Sequence, residues 1–277
     1  MKCVFPAEGA KLGFSDTGSG LPVVFLHPTP LDREYWRPLT KELAGIRAIF
    51  PDLRGHGASE LGSTLPVGGF KRVPDAPVLT MAQLASDVLA LLDHLHVRAA
   101  IFAGCSVGGY VLLELWRRAP ERMCGLIFVC SKPQPDAEAN LAKRAETIAL
   151  ARSNGVAAIF DGMAQNLTGE SARRDRPELV TEVRARMTLS TEALVAVQAG
   201  LAMRPDSVPT VSTIRAPVLA IAGEEDSTIS STEMEAFRLA PGGCEFHSLP
   251  GAGHFAAYER PRKVAALMVP WLRQFQA

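Results

Sequence analysis

The chain has 277 residues, 47% hydrophobic and 21% charged, enough for a large core in one domain with an insertion or in two small domains. Lys plus Arg and Asp plus Glu each number 29, so the formal net charge is zero, which argues against a nucleic-acid or anionic-membrane partner. No apolar run approaches the roughly 18 residues of a membrane span, and the stretch "MKCVFPAEGAKLGFSDTG" lacks an apolar signal core, so a cytoplasmic protein is expected.

In chain order, short apolar runs bounded by Gly and Pro fall at 22–27, 47–53, 99–104, 125–130, 217–223 and 244–250. Runs without alternation suit strands covered on both faces, as in a parallel sheet. Helical spacing is seen at 81–96, 110–122 and 261–276. This alternation predicts an α/β protein with a mostly parallel central sheet and helices on both faces. Residues 61–79, with three prolines and three glycines, predict an irregular loop. Residues 136–208 break the rhythm with several helix-like segments and no strand between them. They read as a helical lid, or as a subdomain that only adds packing. The five cysteines, Cys3, Cys105, Cys124, Cys130 and Cys244, show neither a CxxC nor a metal-ligand spacing and read as reduced thiols.

The chemistry concentrates at "AGCSVGG". Gly104, Ser106 and Gly108 form Gly-x-Ser-x-Gly between a predicted strand and a predicted helix. Such a turn is crowded, and the glycines remove side chains that would collide, while the helix N-terminus offers free N–H groups beside the serine oxygen. Cys105 occupies the variable position and reads as a core thiol. A serine hydroxyl needs a base. Of six histidines, His254 in "LPGAGHFAAYERP" follows a strand and a glycine-rich loop, the last place in the order Ser, acid, His. The acid is sought in "GEEDST" after a strand. Asp226 is preferred because the loop needs a few residues to turn back, and Glu225 is the alternative. The backbone N–H of Val107 supplies one oxyanion donor. In His27-Pro28-Thr29-Pro30 the prolines have no N–H, which leaves Thr29 as the second.

These segments resemble the α/β-hydrolase superfamily, in the branch of small serine esterases, 3-oxoadipate enol-lactonase-like enzymes and cofactor-free haloperoxidase-like proteins. "VVFLHPTPLDREYW" resembles its oxyanion-loop strand, "PDLRGHGASE" its Arg-Gly-His-Gly turn and "AGCSVGGY" its nucleophile elbow. The acid and histidine segments match as well. The likeness implies an α/β-hydrolase core at 1–131 and 211–277, a helical cap at 132–210, a Ser106–His254–Asp226 triad and no cofactor. Pro28 stands where these relatives usually carry glycine.

The expected activity is hydrolysis of a small, largely apolar ester or lactone through an acyl-enzyme. Trp36, Phe70, Met163 and Met203 are candidate pocket residues. Cleavage of a carbon–carbon bond beside a carbonyl, perhydrolysis or acyl transfer would use the same groups. A non-catalytic small-ligand binder is the reading from another class. A homo-oligomer is compatible with the composition.

Overall fold

The computed structural model describes residues 3–64 and 69–276, so part of the predicted loop at 61–79 lies outside the described residues. Eight strands form one sheet: β1 (Cys3–Ala7), β2 (Ala10–Gly18), β3 (Leu21–Leu26), β4 (Ile46–Pro51), β5 (Ala100–Cys105), β6 (Met123–Val129), β7 (Val218–Gly223) and β8 (Cys244–Leu249). Their spatial order is β1-β2-β4-β3-β5-β6-β7-β8. Strands β3 to β8 pair in parallel, whereas β1 and β2 add an antiparallel edge.

The six predicted runs are β3 to β8. Every residue of β5 and of β7 is buried, as a parallel sheet covered on both faces requires. The edge hairpin was not anticipated. β2 carries Lys11, Ser15 and Asp16 and so gives no apolar run, and Pro6 in β1 is tolerated because that strand lies at the sheet edge.

The predicted helices fall at Met81–His94, Val107–Arg118 and Pro261–Arg273. Thr80 caps the first, its hydroxyl accepting from the Gln83 N–H at 3.1 Å, and Pro261 opens the last, where a missing N–H costs nothing.

Topology decides where a site can sit. From β3 the chain moves to β4 on one side, and β5 then pairs on the other side of β3. Connections leaving β3 and β5 therefore diverge, which opens a crevice beyond their carboxyl ends. Residues 27–30 and Ser106 follow those two strands.

Between β6 and β7 the chain forms helices Glu138–Asn154, Ala157–Asn166, Glu170–Asp175, Leu179–Ala185 and Thr191–Ala202, with no strand among the described residues there. The short helix Glu170–Asp175 was not legible, because "ESARRD" has no apolar period. The insert rests closely on the core. The Leu79 N–H donates to the Ala196 carbonyl at 3.0 Å, and a Cβ on Gly200 would lie 1.7 Å from the Leu79 oxygen. No helix among the described residues is long and apolar enough to cross a membrane.

Candidate active site

Ser106 occupies the turn between β5 and the helix Val107–Arg118 with φ 51° and ψ −115°. A side chain rarely adopts positive φ, so the turn is strained and must be over-determined by its surroundings. The Ser106 N–H donates to the Val129 carbonyl at 3.1 Å, and the Ser131 hydroxyl and Gly109 N–H donate to the Ser106 carbonyl at 3.0 and 2.9 Å. The flanking glycines have a steric cause. A Cβ on Gly104 would lie 2.5 Å from the Gly108 carbonyl carbon, and one on Gly108 would lie 2.2 Å from the Leu26 oxygen. All of these neighbours are backbone. Gly108→Ala is expected to cost about 3 kcal/mol, since overpacked sites with no rotamer to yield sit at the upper end of that range. Urea unfolding would show it, and a midpoint equal to the parent's would remove the steric argument.

His254 follows β8. Its N–H donates to the Leu167 carbonyl in the insert at 3.0 Å. Its Nδ1 lies 2.8 Å from Oδ2 of Asp226, and both side chains are buried. Oδ1 of Asp226 accepts from the Thr228 and Ile229 N–H groups at 2.8 and 3.1 Å. The carboxylate can only accept, so Nδ1 carries the proton and Nε2 is left bare to act as a base. The neighbouring acids point elsewhere. Glu225 accepts from the Ser171 N–H at 2.8 Å, and Glu224 is exposed.

Three buried groups that the sequence reading missed as site residues fix the histidine loop. Glu259 accepts from Gly253 (2.7 Å), Phe255 (2.9 Å) and, across to the insert, Gly169 (3.0 Å). Burial pushes its carboxyl up against the pull of these three donors. The Cys105 thiol donates to the His254 carbonyl at 3.6 Å and accepts from the Tyr35 hydroxyl at 3.2 Å. The Cys130 thiol donates to the Gly253 carbonyl at 3.5 Å. Burial pushes both thiols well above their ordinary range, so they stay protonated and structural. A carboxylate in "YERP" and cysteines inside apolar strands carry no sequence signal for such a role.

Val107 is the first residue of its helix, so its N–H lies outside the helical ladder. Thr29 follows β3, and its hydroxyl is already engaged. His56 donates from Nδ1 to the Arg54 carbonyl at 3.0 Å, so its Nε2 accepts from Thr29 Oγ1 at 3.0 Å. His27 accepts at Nε2 from the Leu53 N–H (2.9 Å) and donates from Nδ1 to the Pro28 carbonyl (3.0 Å). Burial lowers the two imidazoles to about 4 (His27) and about 3 (His56), so both are neutral. They hold the loop in which Pro28 sits.

The four apolar pocket candidates separate. Trp36 is fully buried, with its ring 5.4 Å from Phe25 and 4.9 Å from Tyr35, and is a core residue rather than a pocket wall. Phe70 and Met203 line a surface cavity of about 580 Å³ with Arg72, Glu138 and Leu141. Met163 lines a different cavity of about 270 Å³ with Tyr110, Lys132, Arg144, Leu167 and Ile229. Ser106 and His254 do not line the second cavity, but three of its wall residues connect to the site. Tyr110 is one helical turn beyond Ser106, Ile229 donates to Asp226, and Leu167 accepts from His254. Three basic side chains, Lys132, Lys143 and Arg144, stand in its wall, although apolar surface makes up the larger part of the lining.

Residues 23–267 match the alpha/beta hydrolase family, and the chain belongs to it. An esterase from Thermogutta terrifontis, solved with malate bound, is 31% identical over 100% of both chains with a TM-score of 0.89. The enol-lactonase from Burkholderia xenovorans LB400 is 22% identical, covers 98% of this chain and 100% of its own, and has a TM-score of 0.85. A bromoperoxidase from Bacillus anthracis is 18% identical, covers 99% and 100%, and has a TM-score of 0.82. The last two share the fold.

Proposed function

We propose that this chain hydrolyses a small carboxylic ester or lactone through an acyl-enzyme. The observation that carries the reading is the 2.8 Å bond from His254 Nδ1 to a buried Asp226, with the His254 carbonyl accepting from Cys105, the residue before a serine in a strained strand-to-helix turn. The likeness to an esterase at 31% identity supports the ester substrate.

Ser106 Oγ attacks the carbonyl carbon while His254 Nε2 takes its proton. The N–H groups of Val107 and Thr29 bind the oxyanion. As the tetrahedral intermediate collapses, the imidazolium returns the proton to the leaving oxygen. A water activated by the same nitrogen then releases the acid and frees the serine. Asp226 holds the tautomer and stabilises the imidazolium. Residues 132–210 form a cap that shields the intermediate.

A fluorophosphonate probe tests this. Mass analysis should find one adduct, on Ser106, and none in Ser106→Ala. Absence of labelling, together with no turnover of short 4-nitrophenyl esters, would replace the enzyme with a non-catalytic binder.

A further inference from the structure

The cavity of about 270 Å³ that Tyr110, Leu167 and Ile229 border combines a mostly apolar surface with three basic side chains, Lys132, Lys143 and Arg144. It is lined by Lys132, Lys143, Arg144, Asp136, Gln198 and Tyr110, among others. Arg144 donates through Nε to Asp136 and through Nη1 to Gln198 at 2.8 Å. Asp136 is also met by Arg204 at 2.7 Å, and Arg204 in turn lies over the Tyr110 ring at 4.3 Å. Lys132 Nζ is held by Glu233 at 2.5 Å. Burial alone would raise Asp136, but its two guanidinium partners outweigh burial and hold the carboxyl below its ordinary value.

Four cations, Lys132, Lys143, Arg144 and Arg204, thus face two carboxylates, Asp136 and Glu233. Positive charge remains in excess even when Asp226, paired with His254, is counted. Among the described residues, neither Nη2 of Arg144 nor Nζ of Lys143 meets an acceptor. A network that served only to fix the insert to the core would close its charges. This one braces a guanidinium with a carboxylate and an amide and leaves its outer donors free. A guanidinium so oriented is pre-organised for an oxyanion at little entropic cost.

Position links the cavity to the reaction. Tyr110 is four residues beyond Ser106 on one helix, a rise of about 6 Å. Lys132 follows Ser131, whose hydroxyl holds the Ser106 carbonyl. Tyr110, Leu167 and Ile229 thus connect the cavity to Ser106, His254 and Asp226, so a group held by Arg144 and Lys143 would be a remote part of the substrate rather than its reacting ester.

We propose that this cavity receives a carboxylate carried by the substrate, so that the preferred esters or lactones are those of short acids bearing a second, free acid group. The inference rests on the ester or lactone reading and narrows its substrate class.

The test compares monomethyl succinate with methyl 4-methylpentanoate, in which an isopropyl group replaces the carboxylate, by proton release. The parent protein should favour the anionic ester by about tenfold or more in kcat/KM, the scale of one charge-assisted hydrogen bond in a part-buried site. The preference should shrink with added salt. Arg144→Gln should reduce the anionic-to-neutral ratio by about tenfold and Lys143→Gln by about threefold, one strong and one weaker charged contact. Lys143 is exposed and its Nζ meets no acceptor among the described residues, so its variant keeps the test open if Arg144→Gln disturbs the fold. As a second readout, succinate titrated calorimetrically into Ser106→Ala should bind, and bind more weakly when Lys143→Gln is added. Equal turnover of both esters, a ratio untouched by either variant, or no succinate binding would overturn the inference while leaving the ester reading intact. If Ser106 takes no fluorophosphonate and neither ester is cleaved, the ester reading itself falls, and this inference with it.

Discussion

With alanine at position 106, kcat for a short 4-nitrophenyl ester is expected to fall by about 10⁶, and with asparagine at 226 by about 10⁴. Ser106→Ala removes the attacking oxygen, and what remains is binding and oxyanion stabilisation. The effect of Asp226→Asn follows from the hydrogen bonds around it. Oδ1 accepts two backbone N–H groups, from Thr228 and Ile229. An asparagine must place its carbonyl oxygen there, because its NH2 cannot accept. The NH2 group is then turned towards His254 Nδ1, where the carboxylate oxygen was. Nδ1 becomes the acceptor and the ring proton moves to Nε2, the atom that must take the proton of Ser106. The base is thus blocked in its wrong tautomer by two backbone donors. Glu225→Gln, whose carboxylate bonds Ser171 instead, should change kcat by less than about threefold, since that half-buried contact does not touch the imidazole. Stopped-flow or steady-state assays of the four proteins decide the matter. More than a tenth of the activity surviving in Asp226→Asn would remove Asp226 from the triad.

The second large effect concerns stability in acid. His27 and His56 lie with ring centroids 5.0 Å apart, both buried, with pKa values lowered to about 4 and about 3. In the unfolded chain each titrates near 6.5. Below that value the unfolded state binds protons that the folded state refuses. Stability is therefore complete above about pH 6.5 and falls as the pH drops towards 4 and then 3. The slope approaches about 1.4 kcal/mol per pH unit for each ring, so the pair is worth on the order of 8 kcal/mol across the window. Urea unfolding at steps from pH 7 to pH 5 stays above the range of ordinary carboxylates and isolates the histidines. His27→Gln and His56→Gln should each flatten the slope, whatever their cost at pH 7. Slopes equal to the parent's would mean that the two rings are not neutral supports of the loop at 27–30.

Much of the fold is legible because buried parallel strands leave continuous apolar runs, and β3 to β8 are such runs. The β1–β2 hairpin is not, because it rests on pairing with β4 and on burial of Phe5 in β1 and of Leu12 and Phe14 in β2, which also carries charges. At the site, Ser106 and His254 stand out by glycine spacing and chain order. The selection among Glu224, Glu225 and Asp226 rested only on loop length, whereas the structure gives the imidazole to Asp226 through the turn that Thr228 and Ile229 close. Trp36 shows the limit of reasoning from proximity. It follows the oxyanion loop by a few residues, yet its 3-10 turn directs it into the core. The basic cavity was missed for a related reason. Lys143 and Arg144 sit on a polar helix and read as a solvated surface. Only the fold brings Asp136, Gln198 and Arg204 to them.

Glu259 ties the inserted helices to the loop that carries His254. A single carboxylate grips Gly169 on one side and the backbone either side of His254 on the other. Lifting the insert to admit a molecule must tear that grip or drag the imidazole away from Asp226. Under the proposed mechanism, an insert that opened to admit substrate would leave the base disarmed until it closed again.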